Sequence, residues 1–259
     1  MPRLAANLSM MFNEVDFMDR FSAAAEARFK GVEYLFPYDY DKDDLKSALE
    51  KNGLVQVLHN LPAGDWDAGE RGIACHPDRV DEFQEGVGRA IEYATALGCG
   101  QVNCLAGVVP SDVPGATLRE TFVSNLAFAA GELERAGVAL LIEAINTRDI
   151  PGFFLQNTSQ ALGIIEDVGS RNLKLQYDIY HMQIMEGDLT PTIEANLPMI
   201  RHMQFADNPG RNEPGTGEIN YPFLFEAIDK MGYEGWIGCE YKPRTTTAEG
   251  LQWAAPHLR

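Results

Sequence analysis

The sequence contains no run of about 18 apolar residues, the length a helix needs to cross a bilayer, so no membrane span is expected. Its four cysteines, Cys75, Cys99, Cys104 and Cys239, form no C-x-x-C pair. That spacing argues against a thiolate zinc site and leaves four reduced thiols as the plain reading. Positive charge is scarce: 21 Lys and Arg face 38 Asp and Glu, a net charge of −17. Nucleic acid requires a basic face to neutralise phosphates, and an anionic bilayer repels an acidic protein. Neither partner is expected. A small anionic substrate survives this argument, because salt screens a distant field over about 8–10 Å and a few local cations outweigh it. The opening stretch "MPRLAANLSMMFNEVDF" brings in acids too early for a signal or transit peptide, so a cytoplasmic location is expected. No G-x-G-x-x-G follows the first strand, which argues against a doubly wound open sheet. Linkers and low-complexity tracts are also missing.

What is present is a rhythm. β-rich runs at 4–8, 31–35, 54–60, 101–105, 139–145, 173–178, 202–207 and 236–241 alternate with segments of helical period. The helical segments lie near 15–28, 41–52, 78–97, 116–136, 157–168, 189–197, 221–231 and 246–254. Asp41, Thr158-Ser159 and Asn220 ahead of Tyr221-Pro222 are helix starts. Gly53, Gly98, Gly137 and Gly232 each end a helix before a strand. Eight β-then-α units in 259 residues, without a break in composition, predict one domain, 1–259, folded as a (β/α)8 TIM barrel, an architecture of about 250 residues. One connection is long. Residues 60–77, "NLPAGDWDAGERGIACHP", separate the third strand from its helix. A loop of that length in a compact domain is usually functional or disordered; with Trp66, Arg71 and Ile73 it reads as a lid.

In such a barrel the reactive groups sit at the C-terminal ends of the strands. The last four strands finish on Glu143, Asp178, Gln204 and Glu240, with gaps of 35, 26 and 36 residues, each about one βα unit. A single strand-end acid is ordinarily an ion pair or a loop cap. Four polar residues at successive ends converge on one side of the mouth, and three carboxylates in a dry pocket repel one another unless a cation joins them. An all-oxygen set suits Mg²⁺ or Mn²⁺ over zinc. Gln176 and His202 lie two residues before Asp178 and Gln204, so they face the same way one layer down and read as groups that orient the ligands or as satisfied core polars. His59 and His181 are candidates for contact with a substrate hydroxyl or carbonyl. Arg71, Arg148 and Lys242 are candidate anchors for a substrate carboxylate, and Arg211 and Glu218 lie on a long loop, 205–221, within reach of a ligand. The "GTG" at 215–217 is too short to cradle a phosphate and reads as a turn.

These pieces carry a resemblance. "ANLSMMF" (6–12), "GVEYLFPYD" (31–39), "HNLPAGDWDAGERGIAC" (59–75), "LLIEAIN" (140–146), "QYDIYHMQ" (176–183), "ADNPGRNEPGTGEINY" (206–221) and "GCEYKP" (238–243) resemble the hydroxypyruvate isomerase family of xylose-isomerase-like barrels, in particular its bacterial branch associated with 2-oxo-tetronates. The resemblance implies one divalent ion held by Glu143, Asp178, Gln204 and Glu240, with Glu143 and Glu240 exchanging protons with substrate. It implies an intramolecular oxidoreductase of the aldose–ketose type that moves a carbonyl between adjacent carbons of a small 2-oxo acid. Related ketose epimerases carry histidine where Gln204 stands, which puts a direct transfer of their substrate preference in doubt. A ketose 3-epimerase, an apurinic endonuclease of the same barrel type and a non-catalytic sensor are the alternatives; the charge and the five histidines speak against the endonuclease. A homo-oligomer is compatible with all of these readings.

Overall fold

In the computed structural model, which describes residues 3–258, eight parallel strands close on one another in chain order. They are β1 (Arg3–Asn7), β2 (Gly31–Glu33), β3 (Val55–Asn60), β4 (Gln101–Cys104), β5 (Ala139–Glu143), β6 (Leu173–Asp178), β7 (Ile200–Phe205) and β8 (Trp236–Cys239). Closure is made by β1 against β8, with Ala5 opposite Gly238 and Ala6 opposite Cys239. Around them lie α1 (Arg20–Glu26), α2 (Lys42–Asn52), α3 (Val80–Leu97), α4 (Gly115–Arg135), α5 (Thr158–Val168), α6 (Ile179–Met185), α7 (Leu189–Asn196), α8 (Tyr221–Lys230) and α9 (Thr247–Gly250). The protein is a (β/α)8 barrel, and none of its described helices is long and apolar enough to cross a membrane.

Local chemistry sets most boundaries. Asp41 and Asn220 accept hydrogen bonds from Asp43 N and Phe223 N as N-caps. Gly53 and Gly98 close α2 and α3 in the left-handed conformation, where glycine carries no Cβ penalty. In α3 the buried residues Phe83, Val87, Ala90, Ala94 and Leu97 recur at helical spacing and lay one stripe on the barrel.

Three expectations change. The cap of α5 is Asn157, which accepts from Gln160 N, and not Thr158-Ser159. The strands expected at 31–35, 139–145, 202–207 and 236–241 end two residues early, because the chain leaves the sheet there to build the barrel mouth. A helix not expected from periodicity, α6, begins directly after β6, since the Asp178 side chain accepts from Tyr180 N and His181 N and starts it without a connecting loop.

The barrel interior is graded along its axis. Leu58, Leu141 and Ala5 lie two residues before Asn60, Glu143 and Asn7, so strand alternation points them inward beneath those polar groups. With Val57 and the flanking Trp236 they form a small apolar plug, separate from the larger core between sheet and helices. The polar end is thus held over a dry floor.

The loop after β7 is built on one carboxylate. Asp207, 1% exposed, accepts from the backbone N–H groups of Gly215, Thr216, Gly217 and Ile219 at 2.9–3.1 Å. The "GTG" turn therefore spends its amides on a resident anion. Asp207→Asn replaces an acceptor-only group with one that must turn a donor toward amides, and is expected to cost about 2–3 kcal/mol. Chemical denaturation of the two proteins measures that difference.

Candidate active site

A cavity of about 570 Å³ opens at the C-terminal ends of the strands. Glu143, Gln176, Gln204 and Glu240 line one side, and Asn7, Glu33 and Asn60 from the first three strands line the other. Register explains the convergence: Glu143 pairs with Gln176, Asp178 with Gln204, and Gln204 with Gly238, so these side chains lie at neighbouring levels around the ring.

Glu143, Asp178, His181 and Glu240 each place a ligand-capable atom within 4.8 Å of the others, and all four are buried. The donor set fits a cation. Asp178 spends Oδ1 on the cap of α6 and leaves Oδ2 buried with no hydrogen-bond partner, an arrangement a carboxylate tolerates poorly without a positive charge. Burial, then the charges of Glu240 and Asp178, push the Glu143 carboxyl well above its usual range. Burial raises Asp178 as well, although Arg211 and two backbone amides oppose it. Glu240 is pushed up to about 8 by burial, against the pull of Arg211.

His181 enters this cluster because α6 starts at Asp178 and carries it round three residues later. Its tautomer follows from its neighbours. Asn146 Oδ1 accepts from Arg148 N (3.0 Å) and Asp149 N (2.8 Å), so Asn146 Nδ2 turns to His181 Nδ1 at 2.6 Å. Nδ1 is then the acceptor, and the neutral ring carries its proton on Nε2. Burial holds the pKa of His181 well below the usual histidine value, with Arg211 adding to the effect. The Nε2–H stands 3.6 Å from Asp178 Oδ2 and 3.9 Å from Glu143 Oε1. In this state the ring is a hydrogen-bond donor and has no lone pair to give a metal.

Residues 21–257 match the family described as xylose isomerase-like TIM barrel. The chain belongs to that family. It is 56% identical to the hydroxypyruvate isomerase of Escherichia coli K12, with 99% of this chain and 100% of the relative aligned. It is 50% identical to the 2-oxo-tetronate isomerase of Cupriavidus necator, with 100% and 99% aligned. Among solved structures, a Brucella melitensis protein described as AP endonuclease, family 2, superposes with a TM-score of 0.97 at 47% identity, over 99% of both chains.

Within this xylose isomerase-like barrel, the sequence-derived candidates fall into two groups. Glu143, Asp178 and Glu240 come together. Gln204 stands beside them, with its Oε1 accepting from Gln176 Nε2 at 2.6 Å. Arg71, Arg211 and Lys242 all line the cavity. Arg211 donates from Nη2 to Glu240 Oε2 at 2.7 Å and from Nη1 to Asp149 Oδ2 at 3.3 Å. The 60–77 segment is ordered as a cavity wall: the Arg71 guanidinium lies 4.0 Å from the Trp66 ring centroid and donates to the Trp66 and Glu70 carbonyls. Gly72 anchors it, with φ +106° and a Cβ position only 2.2 Å from Leu105 O, a site open to glycine alone.

His59, Arg148 and Glu218 lie outside the cavity. For His59 the reason is strand parity. Leu58 and Asn60 face inward, so His59 faces out, edge-on to Tyr38, and burial draws its pKa down to about 4. Arg148 and Glu218 are exposed. Sequence reasoning missed Asn7, Glu33, Asn60 and Asn103 in the first four strands and Asn146 after the fifth. The strand-end rule used on the late strands would have found Asn7, Glu33 and Asn60.

Folded-state carboxyl pKa values above their unfolded ones mean that stability is full below the unfolded range and is lost as pH rises through the folded values. Metal-free protein is therefore expected to melt at falling temperature from about pH 5 to about pH 8. Added Mg²⁺ or Mn²⁺ should raise the midpoint most at the upper end, where the ligands are ionised. Differential scanning fluorimetry across that range, with and without cation, reads both effects.

Proposed function

We propose that this protein is a divalent-cation-dependent isomerase that moves the carbonyl between adjacent carbons of a small 2-oxo hydroxy acid. Hydroxypyruvate would become tartronate semialdehyde, or a 2-oxo-tetronate its 3-oxo isomer. The observation that carries this reading is the pair of buried carboxylates, Glu143 and Glu240, facing one cavity beside an unpartnered Asp178 oxygen. The names borne by the relatives from Escherichia coli and Cupriavidus necator support the reaction class.

Glu143, Asp178 and Glu240 would hold the cation, with Gln204 Oε1 as a further oxygen; Mg²⁺ or Mn²⁺ suits that hard donor set. Such an ion supplies Lewis acidity toward the substrate carbonyl and charge to balance an enediolate. The rest falls to side chains. Asn103 Nδ2 (3.0 Å) and Gln176 Nε2 (2.9 Å) both hold Glu143 Oε2, which fixes the carboxylate's plane. Arg211 holds one oxygen of Glu240 in the same way. One glutamate takes the proton from the carbon bearing the hydroxyl, a glutamate returns a proton to the neighbouring carbon, and the hydroxyl proton passes from its own oxygen to the former carbonyl oxygen, which balances the exchange. The His181 Nε2–H donates to the oxygen on which charge develops. Trp66 and Arg71 shield that intermediate from water.

Arg71 and Lys242 favour an acid over a neutral ketose. Both line the cavity, and among the described residues neither has a carboxylate partner within 4.0 Å. A ketose 3-epimerase would use the same glutamates but invert one carbon, so product analysis separates the two. A DNA-directed hydrolase, suggested by the name of the Brucella relative, is opposed by the net charge of −17. The four cysteines are buried and unpaired, which suits a reducing cytoplasm.

Glu143→Gln and Glu240→Gln are each expected to lower turnover by at least about 10²-fold, with the melting temperature of the metal-free protein unchanged or raised by relief of repulsion. Near-normal turnover in either variant removes that residue from proton transfer. Arg71→Ala and Lys242→Ala should raise KM for the acid more than they lower kcat. Proton NMR in D₂O, with hydroxypyruvate and the 2-oxo-tetronates side by side, reports both product and solvent-hydrogen incorporation. A sensor would show neither.

A further inference from the structure

Beneath the acid cluster lies a fourth buried carboxylate that the proton-transfer chemistry does not use. Glu33, at the end of β2, is 1% exposed. Its Oε1 accepts from Asn7 Nδ2 at 3.0 Å and from Gln204 Nε2 at 2.7 Å, and its Oε2 faces His202 Nε2 at 2.7 Å. Room for it is made by Gly238 on β8, the strand on the other side of β1, where a Cβ would fall 2.2 Å from Glu33 Oε1. This is a costly arrangement, an acid placed inside the barrel with a nearby glycine to admit it.

Its consequence is at Gln204. A side-chain amide has a donating end and an accepting end, and the two are nearly equal in shape. Glu33 Oε1 already accepts from Asn7 Nδ2, so it meets Gln204 as an acceptor and takes the donating end, Nε2. Gln204 Oε1 is thereby turned to the opposite side, where it accepts from Gln176 Nε2 at 2.6 Å; that same nitrogen donates to Glu143 Oε2 at 2.9 Å. The flipped amide would set its nitrogen against the donor of Gln176 and its oxygen against Glu33. A cation at the acid cluster needs an oxygen from Gln204, since an amide N–H₂ offers no lone pair.

We infer that Glu33 is a positioning residue, which locks the Gln204 amide with its carbonyl oxygen toward the acid cluster and so sets the cation affinity of the site. This inference rests on the cation-dependent reading above and assigns no contact between Glu33 and substrate.

The test is a double-mutant cycle in Mn²⁺ affinity, measured by isothermal titration calorimetry on metal-stripped protein, with melting temperatures recorded alongside. Glu33→Gln gives the amide a competing donor and is expected to weaken Mn²⁺ binding by about 10–100-fold. In a Gln204→Ala background the same change should weaken it by less than about 2-fold, since the residue through which Glu33 acts is gone. Equal losses in both backgrounds, or no loss in either, overturn the inference while leaving the cation site standing. A wild-type protein that binds no Mn²⁺ overturns the functional reading and this inference together. If Glu33→Gln does not fold, ¹⁵N NMR of the Mg²⁺-loaded wild type decides. Slow solvent exchange of the Gln204 side-chain amide protons supports the bond to Glu33, and rapid exchange overturns it.

Discussion

Three carboxylates in a dry barrel mouth repel one another, and that repulsion organises the rest of the site. Glu143, Asp178 and Glu240 cannot all be ionised there without a compensating charge. The protein supplies part of it through Arg211, whose guanidinium bonds to Glu240, and part through amide donors: Asn103 and Gln176 on Glu143, and the first N–H groups of α6 on Asp178. Asp178 Oδ2 still has no partner. The incomplete compensation leaves a place for a cation, and burial holds all three carboxyls above their usual range, Glu240 at about 8.

The barrel makes this arrangement affordable. Parallel strands held by a closed hydrogen-bond ladder present their C-terminal residues as a ring at fixed spacing, and the apolar plug of Ala5, Val57, Leu58 and Leu141 keeps water from the floor. The two halves of the ring do different work. The first four strands contribute three amides and Glu33, which aim other groups. Of the last four, β5, β6 and the end of β8 contribute the cluster of acids, and β7 contributes Gln204. Orientation is thus delegated to side chains that need not touch a substrate, and His181 shows how far this reaches. Two backbone N–H groups fix Asn146, Asn146 fixes the imidazole tautomer, and the tautomer makes the ring a donor.

The wall over the mouth joins chemistry to access. Trp66 and Arg71 are stacked, and the turn behind them is pinned through Gly72 against Leu105 and through Asn125 to Ala74 O. A segment this well fastened at its base positions a cation over the cavity while leaving its tip exposed to the entrance. With Lys242 two residues beyond Glu240 and Arg71 on the wall after β3, basic side chains line the same cavity as the acids, a polarity suited to a substrate that is itself an anion bound through oxygens.

Periodicity, caps and glycine stops were enough to determine the barrel, its eight strands and the strand-end acids Glu143, Asp178 and Glu240, because these depend on spacing along the chain. Parity at a strand end depends on where the ladder stops, and this placed His59 outside the cavity and its neighbour Asn60 inside it. Helix α6 escaped periodicity because a seven-residue element carries too few turns to show a stripe; one carboxylate accepting two amides starts it. The direction in which Gln204 and His181 point was decided by tertiary structure alone. An amide and an imidazole can each face either way, and only partners brought from 20 or more residues away choose between the two.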